Sequence, residues 1–366
     1  MQIKVPTLLL DEDKCLKNIQ LMTEKASLHQ INFRPHFKTH QSAEIGSWFK
    51  NLGVASITVS SVQMAVYFAD AGWDDILIAF PVNLLEIDNI NKLAQKIKLH
   101  LLLESVESTK FLIGKLKFPS GIYLKVDTGY HRTGLSHEDD ENIMEILSLI
   151  KKSPNLKLTG ILTHAGDTYS SKSKAGILNT HKQSKQQLEV LKKRILINFP
   201  DCLVSIGDTP GCSLATDFSG VDEIRPGNFV FYDIMQYFLG TCNYSQIAVA
   251  VACPVVAKHK SRNEIVIYGG AIHLSKEAVF DENNRKVYGL VVKLQNGKWG
   301  KPIPNTFISN LSQEHGIIKT TSEIFEQIGI GETIGILPVH SCLTANLLPH
   351  YSKGDNRKII KFRFNG

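Results

Sequence analysis

Up to about residue 235 the chain repeats one pattern, in which a short apolar run ends in small or polar residues and an amphipathic stretch follows. The runs are rich in Val, Ile, Leu and Phe, as is typical of parallel strands buried on both faces. The amphipathic stretches include 11–28 and 173–197, with apolar residues at helical spacing. The pattern predicts an α/β fold, a (β/α)8 TIM barrel rather than an open sheet. The eight strands are expected within 31–38, 55–61, 75–80, 99–105, 121–129, 158–166, 203–210 and 223–233.

After about residue 240 apolar runs follow one another with few helical stretches between them. This pattern predicts a smaller antiparallel β-domain. We therefore expect a barrel over 11–240 and a C-terminal β-domain over 241–366, with residues 1–10 pairing with the second. The segment 211–220 is too short for a full eighth helix. The later strands are expected within 246–259, 264–270, 287–294, 308–319, 333–348 and 358–364.

Composition and charge narrow the function. The 366 residues are 43% hydrophobic and 21% charged, which favours a folded core over disorder. Four units of the net charge of +6 come from the residues after 352, which include five basic residues and one acidic residue. The alternation in this tail predicts an edge strand with a solvated basic face. Because no basic cluster with interleaved aromatics occurs elsewhere, we do not expect a nucleic-acid partner.

The sequence also bears on location. The apolar stretch 247–257 is far shorter than the roughly 20 residues of a membrane span, so no membrane association is expected. The N-terminus lacks a basic region followed by an apolar run, which argues against a secretory signal. The six cysteines are scattered without a CxxC pair. That spacing predicts reduced thiols and a cytoplasmic protein.

Active sites of such barrels lie at the carboxyl ends of the strands. The predicted strand ends are rich in ionisable and polar side chains, although Glu104 and Asp208 could equally cap the following helices. We therefore expect the chemistry among these positions: Lys38, Glu104, Asp127, His164, Asp208, Thr209 and Tyr232.

Lys38 is the most informative of these residues. Alternation along its strand places Arg34, His36 and Lys38 on one face. If that face points into the barrel, His36 lies in the wall beneath Lys38. The amine then tends to lose its charge and can act as a nucleophile that forms a Schiff base. A solvated lysine in a loop is the alternative.

Several segments together resemble a known family. RPHFKTH is similar to the lysine motif of the fold-type III pyridoxal phosphate (PLP) enzymes, within the D-threonine aldolase/D-serine dehydratase family. Further segments in family order are similar to its arginine-bearing loop, later barrel strands and C-terminal metal segments. The resemblance covers nearly the whole chain and implies an alanine racemase-like barrel. These segments are KVDTGYHRTG, THAGDTY, SIGDTPG, EIRPGNFVFYD, QEHG and PVHSCLT.

The resemblance implies roles for individual residues. Lys38 would hold PLP as a Schiff base, and Arg132 would lie near the phenolic oxygen of the ring. Other residues would contact the ring or the phosphate, unless 207–209 is an ordinary turn and Tyr232 a core aromatic. These expected contacts are His164, Tyr169, Gly207, Thr209, Gly227 and Tyr232.

Asp208 departs from the family pattern, which has a small hydroxyl residue at this position. A carboxylate that faced the phosphate dianion would repel it. We therefore expect Asp208 to point away from the phosphate, or phosphate binding to depend on Tyr232 and Gly227.

His340 and Cys342 form the candidate metal pair. In a strand, side chains two positions apart face the same side and could converge on one ion. Without the resemblance, such a pair is more often a packed histidine and a buried thiol. The resemblance implies a metal, with Glu314 and His315 beside it or in contact with substrate. Thiolate favours Zn²⁺, whereas the His-x-Asp pair of the aldolase branch suits Mn²⁺ or Mg²⁺.

The implied activity is a PLP- and metal-dependent lyase that acts on D-amino acids with a β-hydroxyl group. Dehydration would give a 2-keto acid and ammonia, as from D-serine or D-threonine. Retro-aldol cleavage would give glycine and an aldehyde. Cys342 favours dehydration, with Lys38, His164 and Arg132 as the catalytic residues. Family members usually form homodimers, in which a β-domain approaches the partner's barrel mouth, and we expect the same here.

Three other functions remain open at this point. A PLP-dependent racemase would need a second base, for which Tyr268 and Tyr288 are nominal candidates. A non-catalytic PLP-binding protein resembles the barrel alone, so the second domain argues against it. A barrel enzyme without PLP is the last alternative.

Overall fold

The computed structural model describes residues 3–354 and 357–363. Its contacts divide the chain into two compact units. The barrel unit consists of Met22–Lys38, Gly46–Gly227 and residues 362–363. The β-unit consists of the described residues up to Leu21, Thr39–Ile45 and Asn228–Lys361. These bounds differ from the predicted 11–240 and 241–366, because short segments such as 39–45 contact elements that are distant in sequence.

Strand β1 (Thr7–Leu10) precedes the barrel strands in the chain and lies in the β-unit. The barrel unit contains eight parallel strands in the order β2-β10-β9-β8-β6-β5-β4-β3. A bridge between His36 and Thr58 joins the two outer strands of this order, and β7 pairs with β6 outside it. The predicted parallel barrel is therefore confirmed. Its strands are β2 (Asn32–Phe33), β3 (Ile57–Val59), β4 (Asp75–Pro81), β5 (Lys98–Leu103), β6 (Ser120–Asp127), β7 (Leu135–Ser136), β8 (Leu156–Leu162), β9 (Leu203–Ile206) and β10 (Glu223–Ile224).

Helices alternate with these strands, and polar side chains cap the amino ends of several of them. Ser61, Ser105 and Ser173 each accept a hydrogen bond from a backbone N–H group of the first turn. The eighth crossover holds only a six-residue helix, as its length predicts. The helices are α1 (Glu12–Leu28), α2 (Ala43–Asn51), α3 (Val62–Asp70), α4 (Ile87–Ala94), α5 (Val106–Lys115), α6 (Asp140–Lys152), α7 (Lys174–Ile195) and α8 (Thr209–Leu214).

The predicted strand 31–38 is shorter than expected, since β2 covers only Asn32–Phe33 and Lys38 lies in a turn. The alternation of faces nevertheless continues beyond β2. Phe37 is fully buried and packs against Phe49, Phe68 and Trp73. Arg34, on the opposite face, forms ion pairs with two carboxylates, those of Asp75 and Glu223.

The β-unit is built on a nine-stranded sheet in the order β12-β17-β16-β15-β18-β11-β1-β19-β20. A further pairing of β11 with β12 closes its first six strands into an antiparallel barrel. Strand β1 pairs antiparallel with β11. The strands are β11 (Val249–His259), β12 (Glu264–Tyr268), β13 (Val279–Phe280), β14 (Lys286–Val287), β15 (Gly289–Gln295), β16 (Lys298–Leu311), β17 (His315–Lys319), β18 (Thr333–Pro338), β19 (His350–Ser352) and β20 (Lys358–Ile360).

Two expectations for the β-unit are wrong in detail. The run 333–348 is a strand followed by a helix, because β18 ends at Pro338 and α12 begins at Ser341. In the basic tail, β20 is an edge strand as predicted, but Lys361, which follows it, is 5% exposed and donates to the carbonyl of Ala345, so the basic side chains are not all solvated. The tail's last residues lie outside the described chain. The helices of the β-unit are α9 (Ile234–Phe238), α10 (Ala271–Leu274), α11 (Ser322–Gln327) and α12 (Ser341–Leu347).

Across residues 3–354 and 357–363 we find no helix that is both long and apolar enough to cross a membrane.

Candidate active site

Lys38 lies at the end of the segment that carries β2, where the chain turns. Its backbone N–H donates to Nδ1 of His36 at 3.4 Å. His36 in turn donates its backbone N–H to the carbonyl of Pro226 at 2.9 Å. The lysine side chain is exposed, whereas Phe37 beside it is buried. The turn therefore presents the amine at the carboxyl end of the barrel, as the sequence predicts.

His36 and His164 surround this lysine as neutral side chains. Burial lowers the pKa of both histidines well below the ordinary value, and the positive charge of Lys38 lowers each further. Arg132 adds to the effect at His164. Both imidazoles are therefore uncharged at neutral pH, which leaves the positive charge on the lysine and arginine side chains.

His164 follows β8 and has a defined tautomer. Its Nδ1 lies 2.6 Å from the carbonyl oxygen of Gly207, which can only accept, so Nδ1 carries the proton. The imidazole is tilted against the ring of Tyr169 and meets the edge of Tyr130. The ring of His164 is therefore held by one hydrogen bond and two aromatic neighbours.

Arg132 lies in the loop that follows β6. Asp127 organises this loop, since its carboxylate accepts hydrogen bonds from the backbone N–H groups of Gly129 and His131. Gly134 has a φ of +110°, and a Cβ there would lie 2.7 Å from the backbone nitrogen of Asp127. The loop thus requires glycine at this position. The guanidinium of Arg132 lies 5.1 Å from the ring centroid of Tyr130.

The segment Gly207–Thr209 follows β9. A Cβ at Gly207 would lie 3.1 Å from the side chain of Arg225, so only glycine fits without displacing it. The backbone N–H of Thr209 donates to the hydroxyl of Tyr169 at 3.1 Å. Tyr169 and the segment predicted to bind phosphate are therefore in direct contact.

Asp208 caps α8. Its carboxylate accepts hydrogen bonds from the N–H of Gly211 at 2.5 Å and from the hydroxyl of Thr168 at 3.0 Å. Burial raises its pKa to about 6, although these two bonds and the charge of Arg225 act in the opposite direction. The carboxylate thus has internal partners, in keeping with the expectation that it points away from a phosphate.

Two buried cations escaped the sequence reasoning. Arg225 donates from Nε to the hydroxyl of Ser205 and from a terminal nitrogen to the carbonyl of Thr163, and burial lowers its pKa to about 10. Burial and the neighbouring Arg225 lower the pKa of Lys125 to about 8. Both residues stand in quoted motifs, RPG and KVDTG, but nothing in either motif indicates burial. Together with Lys38 and Arg132 they form a cluster suited to an anion.

The remaining predicted PLP residues, Gly227 and Tyr232, lie close to the position in the sequence where the barrel unit ends and the β-unit resumes. Gly227 is the last residue of this segment of the barrel unit. Tyr232 belongs to the β-unit, where it is 5% exposed and has a φ of +48°. Its backbone N–H donates to the carbonyl of Asn228 at 2.8 Å. All other predicted PLP residues belong to the barrel unit.

His340 and Cys342 lie together in the β-unit, but not in a strand as predicted. His340 is the residue before α12, and Cys342 is the second residue of that helix. Nδ1 of His340 lies 2.9 Å from a carboxylate oxygen of Glu277, a partner that the sequence reasoning missed. Burial lowers the pKa of His340, but hydrogen bonds with Cys342 and Glu277 outweigh burial and raise it to about 11.

This arrangement fits a metal ion. A histidine that binds a metal usually donates its second ring N–H group to a carboxylate, which is the position of Glu277. Within the described ranges, no three or more His, Cys, Asp or Glu side chains converge as a metal site. The protein would therefore supply His340 and Cys342, and water or substrate oxygens would complete the shell.

Glu314 lies in the turn before β17, and His315 is the first residue of that strand. The carbonyl of Glu314 accepts the N–H of Gly269 at 2.9 Å, and His315 pairs with Tyr268. The side chain of His315 is exposed, and Glu314 exerts an electrostatic effect on His273. Their proposed place beside the metal or substrate stays a prediction.

Family models match most of the chain. Residues 10–234 match the alanine racemase N-terminal domain, and residues 248–352 match a serine dehydratase domain. The D-serine dehydratase of Dictyostelium discoideum is 30% identical, over 99% of this chain and 97% of that protein. The 3-hydroxy-D-aspartate aldolase of Paracoccus denitrificans (strain Pd 1222) is 26% identical over 63% of this chain and 61% of that protein.

The D-threo-3-hydroxyaspartate dehydratase of Delftia sp. (strain HT23) is 26% identical over 96% of this chain and 94% of that protein. Its solved structure matches with a TM-score of 0.90 over 99% of this chain and 98% of that chain. Alanine variants of that dehydratase, one at a histidine and one at a cysteine two positions later, match with the same score. The cysteine variant is in a metal-free form.

Proposed function

The chain belongs to the family that contains the D-serine dehydratases and the alanine racemase-like barrel, and from that premise we propose a PLP- and divalent-metal-dependent D-serine or D-threonine dehydratase. The products would be a 2-keto acid and ammonia. When bound, PLP supplies an electron sink and the metal supplies a Lewis acid for the β-hydroxyl group. The observation that carries the proposal is the pair of clusters around Lys38 and around His340 with Cys342.

The residues of the barrel unit fit PLP. The cofactor carries a phosphate and a phenolic oxygen. The Lys38 cluster offers Lys38 and Arg132 as cations for these groups, while His36 and His164 stay neutral. Lys38 would hold the cofactor through its amine, and Arg132 would face the phenolic oxygen. Gly207 and Thr209 would face the phosphate, with Asp208 directed into its own hydrogen bonds. Gly227 and Tyr232 stay proposed contacts.

Lys38 is also the base that we assign to the α-proton of the substrate. The side chain of Lys38 is exposed in the turn after β2, in the cluster proposed to hold the cofactor, so its amine is placed to reach a proton of a substrate bound there. His164 stays neutral, and its proton on Nδ1 is committed to Gly207. We therefore assign His164 a positioning role beside the cofactor ring.

For the metal we propose Zn²⁺ on His340 and Cys342, with Mn²⁺ as the alternative. A thiolate is a soft ligand that favours Zn²⁺ over hard oxygen-loving ions. In the Delftia relative, the metal-free form accompanies loss of a cysteine two positions after a histidine. His340-x-Cys342 has the same spacing. Glu277 would orient the imidazole of His340 toward the ion.

Retro-aldol cleavage is the second candidate, because aldolases are among the relatives. The aldolase of Paracoccus denitrificans matches 63% of this chain, whereas the dehydratases of Dictyostelium discoideum and Delftia match 99% and 96%. The serine dehydratase domain model matches residues 248–352, which include Cys342, and this favours dehydration. D-threo-3-hydroxyaspartate deserves inclusion as a substrate because the Delftia relative is named for it.

Product analysis tests the reaction. The purified protein with PLP would be incubated with D-serine, D-threonine or D-threo-3-hydroxyaspartate, with and without a chelator. We expect pyruvate from D-serine and 2-oxobutyrate from D-threonine, loss of both with the chelator, and rescue by Zn²⁺. Glycine and an aldehyde would instead identify an aldolase. Formation of the L-amino acid without a metal requirement would identify a racemase.

We also propose a homodimer in a reducing compartment such as the cytoplasm. No disulfide joins the six cysteines, all of which lie in the described part of the chain, and this supports the compartment. Exposed apolar side chains on α10, β13 and α12 support the dimer, since such groups of residues often mark interfaces; they include Ile272, Phe280 and Leu347. Light scattering would show a mass of two chains, and Phe280→Asp with Leu347→Asp should reduce it to one. A monomeric wild-type protein would contradict the dimer.

A further inference from the structure

The thiol of Cys342 has defined neighbours within the β-unit. Its sulfur lies 3.2 Å from the hydroxyl of Thr39, the residue that follows Lys38 in the chain. It lies 3.7 Å from Nδ2 of Asn228, which is oriented to donate to it. Of the six cysteines, the other five are buried, whereas Cys342 is partly exposed. Polar donors thus surround the sulfur that we propose as a metal ligand.

Asn228 has only one favourable orientation. Its Nδ2 lies 2.6 Å from a carboxylate oxygen of Asp233, a position in which the amide oxygen would be repelled. Its Oδ1 is buried without a hydrogen-bond partner among the described residues, so no bond at that end competes. The carboxylate therefore fixes the amide so that its NH₂ group faces Ser341 and Cys342.

Asp233 is itself held on both sides. One oxygen accepts the N–H of Gln236 at 3.0 Å and caps α9. The other accepts the N–H of Ser341 at 3.0 Å. Ser341 is the residue between His340 and Cys342, so one buried carboxylate restrains the backbone between the two proposed ligands and also orients Asn228. The network joins the beginnings of α9 and α12.

The amide NH₂ group of Asn228 has fewer protons than it has acceptors nearby. Its NH₂ group has two protons, and three acceptors lie in range: the carboxylate of Asp233, the hydroxyl of Ser341 and the sulfur of Cys342. The Ser341 hydroxyl can donate to Asp233 at 3.3 Å. One amide proton is therefore committed to Asp233, and the second is shared between Ser341 and Cys342.

We propose that Asn228 is a positioning residue for metal binding, which donates to the sulfur of Cys342 while Asp233 holds its amide in place. This inference rests on the proposed metal function of His340 and Cys342. Partners that hydrogen-bond to metal ligands commonly change metal affinity 10- to 100-fold when they are removed. The amide of Asn228 thus sets the direction of the thiolate and supplies part of the affinity for the metal.

The test compares Asn228→Leu and Asn228→Ser with wild type in the full-length, PLP-loaded protein. Leucine keeps the approximate size without a donor, and serine is too short to reach both Asp233 and Cys342. Zn²⁺ affinity is measured by competition with a chromophoric chelator. We expect both variants to bind Zn²⁺ about 10- to 100-fold more weakly, with the visible absorbance of bound PLP retained. Asn310→Leu, at an exposed asparagine of β16 in the same unit, is the matched control and should bind Zn²⁺ as wild type does.

Cobalt supplies a readout that a general loss of stability would not change. In the Co²⁺-loaded protein, the sulfur-to-metal charge-transfer band reports on the bond from Cys342. Loss of a hydrogen bond to the sulfur raises the energy of its electrons, so the band should move to longer wavelength in the Asn228 variants and not in Asn310→Leu.

Three outcomes separate the hypotheses. Weaker Zn²⁺ binding together with the shifted Co²⁺ band in either folded Asn228 variant supports the inference. Wild-type affinity and an unshifted band in a folded variant would overturn the role of Asn228 while leaving the metal function intact. A wild-type protein that binds neither Zn²⁺ nor Co²⁺ would overturn the metal function itself, and the inference with it.

Discussion

The two clusters that carry the proposed chemistry differ in the sign of their charge. In the barrel unit, Lys38 and Arg132 act on His164, and burial together with these cations holds its pKa well below the ordinary value. In the β-unit, His340 has Glu277 and Cys342 as hydrogen-bond partners, and its pKa is raised to about 11. The same type of side chain is thus neutral in one cluster, whereas the anionic partners in the other cluster favour a positive charge at its position.

This difference suits the two clusters to the two unlike groups that we propose for them. An anion such as the phosphate of PLP is stabilised by the cations of the barrel cluster, which include Lys38 and Arg132. A metal cation is stabilised where a thiol, an imidazole and nearby carboxylates meet, since their negative charge offsets the charge of the ion. The charge state of a side chain thus depends on its surroundings as much as on its own chemistry.

The largest effect is expected at the barrel cluster. Lys38→Ala should abolish the visible absorbance of protein-bound PLP and lower turnover of D-serine by about 10⁴-fold or more, because the amine is both the attachment point and the proposed base. Absorbance and turnover are measured on the same samples. Lys110→Ala, at an exposed lysine paired with Glu145, is the control and should retain both. A Lys38→Ala protein that kept the band would place the cofactor on another lysine.

Substitution of the proposed metal ligands in the β-unit should lower turnover without removing PLP, which separates the roles of the two clusters. His340→Ala or Cys342→Ala should leave PLP bound but lower dehydration about 10³-fold, since a Lewis acid contributes several kcal/mol. Metal content and PLP absorbance are measured beside turnover. Cys253→Ala, at a buried cysteine of the same unit, should keep its metal. Unchanged turnover in both site variants would refute the metal role.

The buried carboxylate of Asp208 should make the stability of the folded protein depend on pH. Its folded pKa of about 6 exceeds the ordinary 3.8, so the folded protein binds more protons between these values. Stability from this group is therefore present below pH 3.8 and is lost as the pH rises through about 6. Asp208→Asn retains a good cap and should remove this loss, which corresponds to about 3 kcal/mol in the free energy of unfolding.

Denaturation with urea at several pH values measures this effect. The advantage of Asp208→Asn over wild type should grow as the pH rises from about 4 to about 7. Asp139→Asn changes an exposed cap of α6 and measures what the same replacement does in solvent. If the two variants showed the same dependence on pH, the burial of the Asp208 carboxylate would not be its cause.

The smallest effect is expected at the carboxylate beside His340. Glu277→Gln keeps an acceptor for the imidazole but loses the charge, so Zn²⁺ affinity should fall about tenfold. Chelator competition measures this change, with Glu323→Gln on α11 as an exposed control in the same unit. Equal affinities of Glu277→Gln and wild type would show that the charge of this carboxylate does not contribute to metal binding.

Local pattern was enough to predict the barrel and its reactive end. Buried parallel strands need continuous apolar runs, and all eight predicted runs contain a parallel strand of the barrel. Alternation also predicted one face for Arg34, His36 and Lys38, and the structure agrees in that Phe37, between the last two, is buried on the opposite face from Arg34 although the hydrogen-bonded strand is short. The run 333–348 was misread as a strand, because a short apolar run does not distinguish a strand from a helix.

The sequence by itself determined which side chains are candidates for the chemistry and the order of the elements that present them, since both follow from short-range pattern and motif. Only the tertiary structure decided their surroundings. Glu277 reaches His340, and Asn228 reaches Cys342, across 63 and 114 positions of the chain. Burial, which lowers the pKa of His164 and raises that of Asp208, likewise depends on atoms brought together by folding. Charge and hydrogen bonding at a site are sums over neighbours in space, and no local pattern records those neighbours.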